Sequence, residues 1–195
     1  MHGLINRSLQ CFLRDTYGPL IWATIARNAE LGFDSFESML TYDAALTDDV
    51  INAAALHLDR TRESILEDLG TYLVSHPTVE ALRRLLRFSG VTFVDFLHSL
   101  EDLPGRGRLA VPDLNLPKLV VTEQGADQFI LTCEAPVRGG GHVMLGLLRA
   151  MADDYGALVI LDHRGSTNGI EVIEVQILEQ SFAAGRRFDL ATKAG

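Results

Sequence analysis

The spacing of the apolar residues changes near residue 104, and this change divides the chain into a helical part and a mixed part. Before residue 104, apolar residues recur every three or four positions, as at Leu9, Phe12 and Leu13, which is the spacing of an amphipathic helix. After residue 118, short apolar runs are separated by turns rich in glycine, a pattern typical of strands. The sequence therefore predicts an α+β fold whose first part is helical.

Start and stop signals within each part predict the individual elements. The expected helices are, in chain order, two over 2–31 with a turn at Tyr17-Gly18-Pro19, and others near Thr47, near Thr61, from Pro77 and over 91–103. Three prolines and two glycines over 104–117 predict an irregular segment that holds neither a regular helix nor a central strand. Beyond it we expect strands over 119–122, 128–133, 157–162 and 170–178, with a helix over about 142–155 before the third.

Composition and charge exclude several classes of protein. The 195-residue chain carries 17 basic and 26 acidic residues, and its net charge of -9 opposes binding to the phosphate backbone of nucleic acids. No run approaches the roughly 18 apolar residues of a membrane-spanning helix, and the N-terminal residues become polar too early for a secretory leader. We therefore expect a cytoplasmic protein that binds neither nucleic acid nor a membrane.

The residue types that carry out catalysis do not form a familiar pattern. Six histidines are present without an H-E-x-x-H motif, and no G-x-S-x-G motif accompanies them. Cys11 and Cys133 lie among apolar neighbours and are expected to be buried, inert thiols. Asp162-His163-Arg164 is expected in a solvated turn between two strands. The sequence therefore predicts no enzyme activity.

A glycine-rich turn, Arg138-Gly139-Gly140-Gly141-His142, has two interpretations. Free backbone N–H groups before a helix are suited to bind an anion such as phosphate. Alternatively, a strand-to-helix turn needs glycine where φ is positive. Because no complete phosphate-binding motif is present, the turn is the favoured interpretation.

Five short motifs occur in a characteristic order: the opening MHGLINRSL, Tyr17-Gly18-Pro19 with Trp22, Tyr42-Asp43, Leu66-x-x-Leu69-Gly70, and Phe96-Leu97-x-x-Leu100-Glu101-x-Leu103. Together they resemble the H-NOX (heme–nitric oxide/oxygen binding) family, which includes the N-terminal domain of the soluble guanylate cyclase β subunit. The resemblance implies one H-NOX domain. Its N-terminal helical lobe, over 1–60, is expected to pack on a C-terminal α+β lobe, over 61–195, with a proximal-type helix and a four-stranded antiparallel sheet.

The residues that hold heme in this family are replaced at the matching positions. The family motif F-L-x-N-L-D-x-L-H ends in the axial histidine, whereas the matching run here ends at Pro104, which has no atom that can ligate iron. The family's propionate clamp, Y-x-S-x-R, corresponds to Cys133-x-Ala135-x-Val137. A shift of one residue would recover only Arg138. The resemblance therefore implies a degenerate heme site.

The apolar residues of the family's pocket are retained at more positions than the residues that hold heme. The resemblance places Ile5, Leu9, Leu73, Val143 and Leu147 on its distal face, and it places Pro117 where a proline presses on the porphyrin. We expect either a residual apolar cavity or a pocket that neighbouring side chains have filled.

These replacements favour a sensory and regulatory signalling module, with no cofactor, that acts through protein contact or by binding another apolar ligand. The resemblance implies a bacterial protein whose partner is a signalling protein such as a histidine kinase or a diguanylate cyclase. The alternative is a heme-binding nitric oxide sensor with non-standard ligation, in which His98, His76 or His142 binds the iron and Arg138 contacts a propionate. Outside that alternative, no bound metal is expected.

Overall fold

Seven of the described α-helices precede the sheet and the eighth lies between its second and third strands, as the spacing of apolar residues predicts. A computed structural model describes residues 1–88 and 90–186. Its α-helices are α1 (Gly3–Tyr17), α2 (Pro19–Asn28), α3 (Ala44–Leu58), α4 (Arg62–Ser75), α5 (Glu80–Arg87), α6 (Phe93–Ser99), α7 (Leu103–Ala110) and α8 (Gly140–Tyr155). Two short 3-10 helices, Pro77–Val79 and Leu100–Asp102, lead into α5 and α7. None of the described helices is long and apolar enough to cross a membrane.

Four strands form one antiparallel sheet, which confirms the predicted α+β class. The strands are β1 (Lys118–Gly125), β2 (Gln128–Glu134), β3 (Leu158–Thr167) and β4 (Ile170–Glu179), in the order β1-β2-β4-β3. Phe129 pairs with Val175 and Leu131 pairs with Ile173, so alternate residues of the two central strands lie buried on one face. Helix α8 packs on this face in the same hydrophobic cluster.

In the β3–β4 hairpin, β3 is longer and the connecting turn is shorter than predicted. We expected a polar turn beginning near His163, but β3 continues to Thr167 and the turn is Asn168-Gly169, whose φ angles are 54° and 81°. Two consecutive positive φ angles are typical of a type I′ turn, which Asn-Gly favours. His163 is therefore a strand residue, and its side chain is only 14% exposed.

The starts of α3 and α4 show how local signals set helix boundaries. The Thr61 side chain accepts a hydrogen bond from the Ser64 N–H and caps α4, as predicted. Asp43, rather than the predicted Thr47, caps α3 by accepting from the Ala45 N–H. Thr47 is instead buried and donates to Asn6 Oδ1 at 2.7 Å. Helix α3 thus begins four residues earlier than expected.

The prediction of an irregular segment over 104–117 is wrong in its first half, because α7 occupies Leu103–Ala110. Pro104 stands in the first turn of α7, where its missing N–H has no helical acceptor to lose. The preceding 3-10 helix supplies a helical lead-in. Gly107 is tolerated because it packs closely on Leu116, whose Cδ1 would lie 2.4 Å from an added Cβ. The chain is irregular only beyond residue 110.

Two hydrophobic clusters make up the core. One joins α1, α2 and α3 to residues Ile65–Tyr72 of α4, and the other joins α6 and α8 to the sheet. Helix α4 lies between them and crosses α8 at very short range. An added Cβ at Gly146 would stand 1.9 Å from the Glu67 carbonyl oxygen, and one at Gly70 would stand 2.0 Å from that of Val143. The proposed division into lobes at residue 60 stays a prediction, but α4 takes part in the N-terminal core.

Candidate functional site: an apolar cavity

A cavity of about 350 Å³ lies between the N-terminal helices and the start of α8. Ala110, Asn115 and Pro136 line it and are also exposed to solvent, so they mark its rim. The lining residues are Leu4, Ile5, Ser8, Leu9, Thr47, Ile51, Leu66, Leu69, Leu73, Leu82, Leu85, Leu86, Leu103, Gly107, Ala110, Val111, Leu114, Asn115, Leu116, Pro117, Ala135, Pro136, Val137, Gly140, Val143, Met144 and Leu147. The walls are almost entirely aliphatic.

All six residues expected to form the apolar pocket line this cavity. They come from four different parts of the chain. Ile5 and Leu9 lie on α1, Leu73 lies on α4, Pro117 precedes β1, and Val143 and Leu147 lie on α8. The pairs on α1 and α8 are each four residues apart, which places both members on one helix face.

The sequence did not predict the walls that α5 and α7 contribute. Leu82, Leu85 and Leu86 of α5 line the cavity, as do Leu103 and Gly107 of α7. The three- and four-residue spacing of these positions was the available signal. It was obscured in α7 by Pro104 and two glycines, which led us to expect no helix there.

Pro104 lies beside the cavity rather than among its lining residues. It is half-buried in the first turn of α7, between Leu103, which lines the cavity, and the solvent-exposed Gly105. Its carbonyl oxygen accepts a hydrogen bond from Arg108 Nε at 3.3 Å. Proline offers no side-chain nitrogen to iron, so this helix presents only aliphatic groups and a glycine to the cavity.

The three positions matched to the propionate clamp lie in two environments. Strand β2 ends at Glu134, so only Cys133 is a strand residue, and the expected single strand face does not extend to Ala135 and Val137. Ala135 and Val137 nevertheless both line the cavity. Cys133 is fully buried in the core between the sheet and α8. Burial raises the pKa of its thiol to about 12, so it is not a thiolate at neutral pH.

Arg138 is exposed and is not among the cavity-lining residues. Its backbone carbonyl accepts a hydrogen bond from Arg62 Nη2 at 3.0 Å, and Arg62 also forms an ion pair with Asp48. These contacts fix the backbone of the glycine-rich turn near α3 and α4.

The three histidines considered as alternative iron ligands all lie outside the cavity lining. His76 stacks on Tyr72 at 4.6 Å between ring centroids and hydrogen-bonds to Thr78. His98 is 46% exposed and pairs with Glu123 at 3.0 Å. The third, His142, stacks on His163 instead of turning toward the cavity.

Two of the polar residues that line the cavity, Ser8 and Thr47, already have partners, and Asn115 is exposed at the rim. Ser8 Oγ donates to the Leu4 carbonyl oxygen at 2.9 Å, and Thr47 donates to Asn6. Met144 contributes a thioether, which serves as an iron ligand in cytochromes c alongside a histidine. Within residues 1–88 and 90–186, the lining contains no histidine, cysteine, tyrosine, lysine or arginine. The cavity therefore suits an apolar molecule better than a charged one.

The glycine-rich turn does form an anion site, but a residue of this chain fills it. Gly139 has a φ of 83°, as the turn interpretation required. The Gly141 N–H, in the first turn of α8, donates to Oε1 of the buried Glu171 at 3.0 Å. A Cβ at Gly141 would lie 2.6 Å from this carboxylate, so glycine makes the close approach feasible. No external phosphate is needed to satisfy this helix terminus.

A buried ion pair holds the α5 wall of the cavity. Arg83 donates from Nε at 2.9 Å and from Nη2 at 2.6 Å to Oδ1 of Asp154 on α8, and Asp154 is 1% exposed. The guanidinium carbon of Arg87 lies 3.8 Å from the ring centroid of Tyr155. The leucines of α5 thus face the cavity, while Arg83 and Arg87 fasten the helix to α8.

Comparison with known proteins gives a consistent family match. The Haem-NO-binding family matches residues 2–163 of the chain. Among curated proteins, soluble guanylate cyclase 89Da of Drosophila melanogaster is 20% identical over 160 residues, which are 82% of this chain and 24% of that protein. Soluble guanylate cyclase gcy-31 of Caenorhabditis elegans is 22% identical over 154 residues, 79% of this chain and 22% of that protein. The chain thus spans about a quarter of the length of these relatives.

Solved structures share the fold at low sequence identity. A variant of an H-NOX protein from S. oneidensis in the Fe(II) ligation state superposes with a TM-score of 0.78 at 15% identity, covering 92% of this chain and 97% of that one. The Fe(II) unliganded H-NOX protein from K. algicida superposes with a TM-score of 0.75 at 18% identity, covering 94% and 100%. At this identity the likeness establishes the fold alone.

Proposed function

Because this chain belongs to the Haem-NO-binding family, whose members are sensor domains, we propose that it is a sensory module that works without heme and binds a small apolar ligand in its cavity. Ligand occupancy, rather than gas binding to iron, would then be the signal. The proposal rests above all on one observation: aliphatic side chains form nearly all of the cavity lining, which among the described residues contains no histidine, cysteine, tyrosine, lysine or arginine.

The residues present do not fit heme. The family's heme needs an axial ligand on one side and donors for two propionates. We assign the axial position to Pro104 and two of the clamp positions to Ala135 and Val137, which line the cavity. Met144 is a weak ligand, and the part of the lining that the structure describes supplies no histidine to pair with it. The nearest cation in the sequence, Arg138, is exposed.

The proposed output is contact with a signalling protein. The curated relatives are named as guanylate cyclases, and this chain spans about a quarter of their length. A partner enzyme of the cyclase or histidine kinase class is therefore proposed, and in that arrangement this chain has no catalytic role. The cavity touches α1, α3, α4, α5, α7 and α8, so a bound ligand would stabilise the packing of six helices at once.

A heme-binding nitric oxide sensor is the second candidate, favoured by the family match itself. It requires an iron ligand from outside the present lining, because His76, His98 and His142 all point to other partners. Any such ligation would need a rearrangement that breaks at least one of these contacts.

We expect the purified chain to bind a neutral apolar fluorophore such as N-phenyl-1-naphthylamine at one site. Leu9→Phe on α1 and Val143→Phe on α8 should each weaken this binding by at least about tenfold, since each added ring takes space that the probe needs. Filling an empty cavity without strain should also stabilise the fold by about 1 kcal/mol. Fluorescence titration and urea denaturation measure the two effects.

Leu20→Phe is the matched control, because Leu20 is 83% exposed on α2 and is not among the cavity-lining residues. Its affinity for the probe should equal that of the unmodified chain. The ligand-binding proposal would be contradicted if Leu20→Phe lost as much probe affinity as Leu9→Phe and Val143→Phe. It would also be contradicted if the unmodified chain bound no neutral apolar probe.

A further inference from the structure

Two histidines and a glutamate meet where α8, β3 and β4 come together. One donor atom from each of His142, His163 and Glu171 lies within 4.8 Å of the other two. The two imidazole rings stack with centroids 4.1 Å apart, and His163 Nε2 lies 2.9 Å from Glu171 Oε2. We propose that these three residues form a binding site for a divalent transition metal of the Zn²⁺ type, separate from the apolar cavity.

The donor set and its burial suit such an ion. Imidazole nitrogen and carboxylate oxygen are both zinc ligands, and two histidines with one glutamate leave a fourth position for water. The side chains of His142, His163 and Glu171 are 16%, 14% and 8% exposed, so the donors are largely removed from bulk water. A surface ion pair such as His98 with Glu123 lacks both the third donor and this burial.

Neighbouring groups already orient two of the ligands. His142 Nδ1 lies 3.2 Å from Glu67 Oε1 on α4, and Arg149 holds the other oxygen of Glu67 at 3.3 Å. An Nδ1–H that points to a carboxylate leaves Nε2 as the metal-binding nitrogen, which is the usual arrangement around zinc-bound histidine. Glu171 Oε1 is held by the Gly141 N–H, which leaves Oε2 for the metal.

Metal binding requires a small contraction and one change of tautomer. Tetrahedral zinc with bonds of about 2.0–2.1 Å places its donors roughly 3.3 Å apart, and the donors now lie within 4.8 Å of one another, so the separations must close by at most about 1.5 Å. His163 Nδ1 now accepts a 3.3 Å hydrogen bond from the Gly165 N–H. On metal binding the proton moves from Nε2 to Nδ1 and this weak bond is lost, so the ring remains neutral.

The ion would join the β3–β4 hairpin to the first turn of α8. His142 stands between Gly140 and Val143, both of which line the cavity. A metal at this point would fix the start of α8, and with it one wall of the cavity. The site therefore has a structural consequence even without any chemistry at the ion.

The test is a titration of metal-depleted full chain with Co²⁺ and then Zn²⁺, in a Cys11→Ser background that removes the more accessible thiol. We expect visible absorption of tetrahedral Co²⁺ that saturates at one ion per chain and disappears on addition of Zn²⁺. His163→Gln and Glu171→Gln should each weaken Co²⁺ binding by at least about tenfold, and Glu67→Gln should weaken it by roughly tenfold through loss of orientation.

His98→Gln is the matched control, because it removes a histidine paired with a glutamate but with no third donor, and it should leave Co²⁺ affinity unchanged. Circular dichroism of each variant checks folding, and the stoichiometry of the unmodified chain stands even if one variant fails to fold. Absence of a saturable site in the unmodified chain would overturn the proposal. So would unchanged affinity in both His163→Gln and Glu171→Gln.

Discussion

Asp154→Asn is expected to lower the free energy of unfolding by about 3 kcal/mol. Asp154 is 1% exposed and accepts two hydrogen bonds from Arg83, so the substitution leaves a largely buried guanidinium without its counter-charge. Breaking one partner of a buried pair costs about 3–5 kcal/mol, and we expect the lower end because Arg83 keeps 14% of its side-chain surface exposed. Urea denaturation followed by circular dichroism measures the change.

A control ion pair lies on α5, the helix that carries Arg83. Glu80 and Arg84 form this exposed pair, with side chains 54% and 37% exposed. Glu80→Gln should change stability by no more than about 0.5 kcal/mol, because solvent screens such pairs. The α5 leucines form a wall of the cavity, so Asp154→Asn should also weaken binding of the apolar probe. A cost for Asp154→Asn no larger than for Glu80→Gln would show that α5 is not held by this pair.

The second large effect is a gain of heme binding in a chain that we expect to lack it. The triple variant Pro104→His, Ala135→Ser, Val137→Arg returns an imidazole to α7 and puts a hydroxyl and a guanidinium on the cavity wall. Each charge-assisted hydrogen bond to a propionate contributes about 1.5–3 kcal/mol, and the iron–nitrogen bond adds to this, so hemin affinity should rise at least about a hundredfold. Absorbance titration with hemin measures it.

Cys133, which matches the tyrosine of the family's propionate clamp, is left unchanged in this design. Cys133 lies in the core between the sheet and α8, and a tyrosine there would overpack it. A matched control replaces Pro104→His with Leu109→His, which introduces a histidine on the same helix at a position 88% exposed. If both triple variants bind hemin equally well, the axial position has been misassigned, and if neither binds while both stay folded, the register along α7 is wrong.

The sequence predicted most of the fold because its signals are local. Thr61 caps α4, Gly18 separates α1 from α2, and the alternation in β2 and β4 marks one buried sheet face. It failed at α7, where three prolines and two glycines over 104–117 suggested that no helix could form. Proline is tolerated in a first turn, and only the preceding helical segment makes Pro104 a first-turn residue.

The cavity lining was predictable where two of its residues lie on the same face of one helix. Ile5 with Leu9 and Val143 with Leu147 follow helical spacing, so their grouping could be inferred. The cluster of His142, His163 and Glu171 could not be inferred in this way. Its members come from one helix and two strands, and His163 was expected in a solvated turn because the Asn168-Gly169 turn was placed too early.

Titration of the unmodified chain with hemin tests the central claim most directly. The account predicts a protein that purifies without colour and that shows only weak, non-saturating absorbance changes, because it assigns the axial and propionate-binding positions to Pro104, Ala135 and Val137, which cannot hold heme. A sharp Soret band that saturates at one heme per chain would contradict it. Loss of that band in His76→Ala, His98→Ala or His142→Ala would then identify the residue that binds the iron.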